Sequence, residues 1–225
     1  MTALTASVVA PVSAAAIGNQ SSPVDEIKFK VDNLYFTAPY DSEDVNLVKS
    51  ESGNTTEVKI FDKETGSLLE TYGEIEKGQL SPQIDSRIKN SLITPLASSA
   101  VTLVIAYSDK ASGPVTTRLQ ADLEVAVSGS FRQINKVNNT ALRIINSNAA
   151  SLEGTSAYTA SRTGKFPATE ISSLGSGTIT VKTTQNASGE LSLSVLESFG
   201  YSFTYGTSTD VYARKPFDQT LYYSV

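Results

Sequence analysis

The sequence predicts an α+β, mainly β fold: a twisted β-sandwich or barrel with one or two flanking helices and an extended N-terminal arm. Three observations carry that expectation. Apolar and polar residues alternate with period two in several runs, the longest over residues 115–127. Ser and Thr are abundant while charged residues make up 18% of the chain, below the usual share of about 25%. Only two stretches space their apolar residues as a helix does.

Taken in order, residues 1–23 form the arm: Ala, Val, Ser and Thr dominate as far as Gly18, and no Lys or Arg appears before Lys28. Pro11 and several hydroxyls interrupt this segment, so it reads as a retained arm and not as a signal peptide. A β-rich core domain over residues 24–152 follows. Ile27, Phe29 and Val31 alternate with Lys28, Lys30 and Asp32 as a half-buried strand, and residues 41–54 read as an acidic, turn-rich stretch. Residues 58–61 and 68–72 flank a polar loop ending in Gly66, which is a hairpin signal. Ser81 followed by Pro82 starts a helix near 82–94 whose Ile84, Ile88 and Leu92 share one face. The run 101–107 and the alternation 115–127 make a long hairpin. Phe131, Ile134, Ala141, Leu142 and Ile145 then predict a second helix near 131–151. Residues 153–177, poor in periodicity and rich in Asn, Ser, Thr, Gly and Ala, read as a long loop or linker. Residues 178–225 return to β-hairpins that complete the same domain: 178–183 with 191–196, then Phe199, Tyr201, Phe203 and Tyr205 on one strand face.

Composition narrows the chemistry. The 225-residue chain has neither Cys nor His, so disulfides, thiolate and imidazole metal sites and the usual nucleophile–base triads have no donors in it. Carboxylates, Lys, Tyr and hydroxyls remain. The net charge of −5 and the lack of a basic stripe argue against nucleic acid as a partner. No run approaches the roughly 18 apolar residues of a membrane span, so no membrane insertion is expected.

The local motifs are each outweighed by a simpler structural reading. Ser86 and Lys89 have the S-x-x-K spacing of serine acylases but lack the partner motifs, which leaves an exposed helix face. Glu74 and Glu76 lie on one strand face about 6.7 Å apart at Cα, within range of a glycosidase pair, yet they read better as a solvated face. Asp41, Glu43, Asp44, Asp62 and Glu64 are oxygen ligands without the Gly and distal Glu of an EF-hand loop, which points to turn capping. The aromatic stripe at 199–205 reads as core or subunit contact.

The expected function is a non-enzymatic structural subunit that self-assembles into a virus-like or phage-like particle as a tail tube, capsid or decoration component, located in a virion or extracellular assembly. The alternative is a subunit of a bacterial surface filament or an adhesive β-module at the cell surface; a carboxylate-based hydrolase comes third. No cofactor and no metal is expected. The partners are copies of the chain itself, as a homo-oligomer, and other particle subunits. The expected interface residues are Val8 and Val9 in the arm, Phe166, Ile171 and Leu174 in the long loop, and Tyr201 and Tyr205 near the C-terminus.

Overall fold

The computed structural model describes residues 26–80, 100–147, 149–206 and 209–225. They form two antiparallel six-stranded sheets packed as a sandwich. The first sheet has the order β1 (Ile27–Lys30), β2 (Tyr35–Ala38), β12 (Asp210–Ser224), β10 (Glu170–Thr184), β9 (Ala150–Ser161), with β11 (Ser202–Tyr205) on part of β12. The second runs in chain order: β3 (Val45–Ser52), β4 (Thr55–Asp62), β5 (Leu68–Leu80), β6 (Ala100–Ser112), β7 (Val115–Ser128), β8 (Phe131–Ile144). A short helix, α1 (Leu193–Ser198), precedes β11.

The period-two reading of β7 holds along its length. Val115, Thr117, Leu119, Ala121, Leu123 and Val125 all turn inward and are buried. They help to divide the interior into two apolar clusters. The larger is built around Phe29, Phe36, Tyr72 and Tyr223, whose rings meet at centroid distances of 5.3–6.2 Å. The smaller holds Val115, Ile179, Val181, Leu196, Tyr201 and Ala213. Gln219, itself buried, lies in a polar belt with Ser108 and Thr117. Its amide donates to the Ser108 carbonyl and hydroxyl at 2.9 Å each, and its Oε1 accepts from the Thr117 hydroxyl at 3.0 Å. Every polar group of the belt named here is paired, which is what makes it tolerable in a core.

Four sequence expectations change. The helix expected near 131–151 is β8 and the start of β9. Register shifts against β7 put Ile134 opposite Val125, Val137 opposite Leu123, Thr140 opposite Ala121 and Leu142 opposite Leu119. Inward positions thus fall three apart before returning to two, and bulges of this kind imitate a helical period. The long loop expected at 153–177 is mostly β9 and β10, joined by a turn. Its inward residues include Ala157, Thr159, Ser173 and Gly175, so small and hydroxylic groups stand where large apolar ones would have marked a strand. The hairpin of 178–183 with 191–196 is absent, because β10 pairs with β12 and residues 193–198 are helical, with Leu196 buried in the smaller cluster. A six-residue apolar run cannot separate helix from strand by periodicity. The stretch 41–54 contains β3, of whose residues only Val45 is buried, so no alternation records it. The arm at 1–23, with Val8 and Val9, and the helix near 82–94, with Ser86 and Lys89, lie outside the described residues.

Candidate functional site

The two lateral sides of the sandwich are finished differently, and the unfinished one holds the candidate site. On the side where β8 faces β9 the sheets are stitched. The Ile134 N–H donates to the Ala168 carbonyl at 2.8 Å and the Ala168 N–H to the Ile134 carbonyl at 2.9 Å. A file of hydroxyls then crosses from the second sheet into the first: Thr140 to Thr159 at 2.7 Å, Thr159 to Ser173 at 2.7 Å, Ser173 to Tyr223 at 3.1 Å.

On the other side β3 ends the second sheet, and among the described residues nothing pairs with its outer edge. Leu47 turns toward the first sheet beside Ile60, yet it is 45% exposed because no described strand lies over it. In the first sheet β12 pairs along its whole length with β10, but its other edge is shared by two short strands. β11 takes Val211 to Arg214 and β2 takes Tyr222 to Ser224. Between them residues 215–221 have no strand partner on that edge among the described residues.

Beneath this notch a cavity of about 180 Å3 reaches the inner face of the second sheet at Glu70, Tyr72 and Lys110. Glu70 is buried, and its Oε2 accepts the Tyr72 hydroxyl at 2.8 Å and the Tyr40 hydroxyl at 3.2 Å. Burial raises its pKa above the usual carboxylate range, against the two phenol hydrogen bonds and the nearby Lys110, which lower it. An upward shift beside a cavity is the direction a general acid needs, although one oxygen of Glu70 is already held by two tyrosines.

Glu74, four residues along β5, is also buried and also raised by desolvation, but its role is structural. Its carboxylate accepts the Asn33 and Leu34 backbone N–H groups at 2.8 and 3.1 Å and the Asn33 side-chain amide at 2.8 Å, so it caps the turn between β1 and β2. The solvated face expected for Glu74 and Glu76 is therefore wrong for Glu74.

A larger groove of about 390 Å3 lies on the outer face of the first sheet beside Tyr222, Lys28, Arg162 and Glu170. Tyr222 and Thr37 line both hollows. That outer face is hydroxylic, with Thr37, Ser172, Ser176 and Thr220 on it, and it carries the exposed rings of Tyr35, Tyr158 and Tyr222.

The expected interface residues divide. Tyr205, at the end of β11, is 63% exposed, and Phe166 is exposed in the turn between β9 and β10. Leu174 sits half-buried on the outer face between Tyr158 and Thr220. Ile171 and Tyr201 are instead buried in this chain's own core, which removes them from any surface. The Tyr201 hydroxyl donates to the Ser112 carbonyl at 2.9 Å, and burial pushes its pKa up to about 12. The four aromatics do not share a strand face either, since Phe199 caps α1 and Tyr201 precedes β11.

The acidic turns use their carboxylates locally. Asp41 accepts the Glu43 N–H at 2.8 Å, and Asp62 accepts the Thr65 N–H and hydroxyl at 2.7 and 2.8 Å, which holds the Asp62 pKa below its usual value. The Lys63 ammonium bonds to the Ser42 and Glu43 carbonyls at 3.0 and 2.6 Å. Among the described residues no three acidic side chains converge as a metal site would require, and no helix is long and apolar enough to cross a membrane. The chain matches no protein-family model, no curated protein and no solved structure.

Proposed function

We propose that this chain is a structural subunit that self-assembles with copies of itself into a virus-like or phage-like particle, as a tail tube, capsid or decoration component. The observation that carries this reading is the pair of open sheet edges on one side of the sandwich, β3 and the notch in β12. An open edge presents unpaired N–H and C=O groups and invites another strand; proteins that stay single cover such edges or twist them away. Here the neighbourhood is apolar as well. Leu47 and Val48 are half-exposed on opposite faces of β3, and Tyr222 stands beside the notch. Lys49, which turns inward on β3 and pairs with Glu51 at 3.1 Å, is the kind of charge that blunts an edge, so the notch in β12 is the better receptor of the two.

The same edges suit a subunit of a surface filament, and the two readings part on the shape of the assembly. Size-exclusion chromatography with light scattering, followed by negative-stain microscopy, is the test. Rings, tubes or closed shells support the particle; open unbranched filaments support the alternative. A protein that stays monomeric at every concentration up to millimolar overturns both.

A further inference from the structure

The geometry points to the occupant of the notch: a strand from the N-terminal arm of a neighbouring copy, residues 2–9, laid along residues 215–221 of β12. This inference rests on the self-assembly reading and names the contact that would join the copies.

Among the described residues the notch is a gap inside a sheet, bounded at both ends. β11 stops at the partner of Arg214 and β2 at the partner of Tyr222, which leaves an opening of roughly 20 Å along β12. Pro216 has no N–H to give, and a proline within a sheet turns its nitrogen to an open side. By the strand period the main-chain groups of Asp218 and Thr220 face the same way, so the gap offers N–H and C=O groups to an incoming strand. Asp218 and Thr220 also line the cavity below, next to Tyr72 and Glu70.

The arm has the matching pattern. Leu4, Ala6 and Val8 alternate with Thr5, Ser7 and Val9 ahead of Pro11. Leu4, Ala6 and Val8 on one side suit a shallow hollow, and Thr5 and Ser7 on the other suit the Ser- and Thr-rich outer face of the first sheet. By contrast, residues 19–25, Asn-Gln-Ser-Ser-Pro-Val-Asp, are polar and interrupted by proline.

The placement of Glu26 argues for the neighbour's notch over the chain's own. Glu26, the first residue described, lines both the notch cavity and the groove on the outer face, so the arm is tethered on this side of the sandwich. A connection back into the same notch needs only the four to six residues usual between strands. Residues 10–25 reach up to about 50 Å when extended. That matches a subunit diameter of roughly 45 Å for a compact chain of this length.

The natural absence of cysteine makes the contact readable in the full-length protein. One preparation carries Ser7→Cys or Val8→Cys, which present opposite faces of a strand, and a second carries Asp218→Cys. Mixed under mild oxidation, one of the two arm variants should give a disulfide-linked dimer with Asp218→Cys at least tenfold above its yield with Lys136→Cys on β8. Proteins carrying an arm cysteine together with Asp218→Cys should form covalent ladders. A fast-migrating, internally linked monomer from them would show the arm in its own notch and overturn the inference. Assembly without any arm-to-218 link would overturn it too while leaving the self-assembly reading intact. Monomers throughout would remove both.

Discussion

The two sides of this sandwich are built from similar strands, and both end in strands paired on one edge only; they differ in that β8 is bonded across to the first sheet through Ala168 and Thr159, whereas among the described residues β3 makes no hydrogen bond to the first sheet. On the stitched side β8 meets the turn after β9 through two main-chain hydrogen bonds between Ile134 and Ala168, and a file of four hydroxyls runs from β8 through β9 and β10 to β12. On the open side Leu47 on β3 lies uncovered, and among the described residues β12 has a bare edge between β11 and β2. The difference teaches where to look for stability and where for contact. Side chains bonded across the two sheets hold β8 and β9 in place within the chain, while β3 and the middle of β12 lack such ties among the described residues and are the edges freest to take a partner.

The contrast can be broken by substitution. Its largest expected effect is at Ile134, fully buried on the stitched side, where Ile134→Ala should destabilise the fold by about 3 kcal/mol in urea unfolding. A loss below about 1 kcal/mol would mean that the stitched side is not the stable one. Tyr223→Phe removes the last hydroxyl of the file and should cost about 1 kcal/mol.

Glu70, at the floor of the notch, sharpens the comparison through pH. Its folded pKa is raised, so between the ordinary carboxylate value and the raised one the folded state holds a proton that the unfolded chain has released. Stability must then fall as pH rises through that window. The groups around it are Tyr72 on the same strand, Tyr40, Lys110 and Asp109 on β6, and Glu26 and Asp218 across the cavity. Glu70→Gln should flatten this slope, leaving the part due to Glu74, and should leave stability at neutral pH equal to or above that of the parent. A slope unchanged in the variant would assign the titration elsewhere. The smallest effect belongs to Leu47→Ser on β3, within about 0.5 kcal/mol for folding, with a visible loss of higher-order species in chromatography. Equal losses of folding stability at Leu47 and Ile134 would erase the distinction between the two sides.

How much of this could be read from the residues depends on what the inward positions hold. β7 was legible because Leu119, Leu123 and Val125 write its burial in large apolar groups. β9 and β10 were not, because Thr159, Ser173 and Gly175 occupy inward positions and signal their burial only through pairing. β8 was masked by register shifts, and β3 by the exposure of all its residues but one. Of the expected contact residues, Phe166, Leu174 and Tyr205 keep some surface, while Ile171 and Tyr201 lie in this chain's own core, since an aromatic or branched residue looks the same in sequence whether it faces core or partner. The notch was invisible in advance. It arises from two short strands failing to meet along a third, which no local pattern encodes.

The place of β12 in the first sheet also sets an order in time. It is the strand to which β2, β10 and β11 all pair, and it follows every one of them in the chain. On a ribosome the second sheet, whose strands pair strictly with their neighbours in sequence, can close as it emerges. The hairpin of β1 and β2 must wait through nine further strands before the one it leans on is made. Until that last strand arrives, half of the sandwich is a set of unjoined pieces with apolar faces bare, so the newborn chain is at its most vulnerable just before synthesis of β12 is complete.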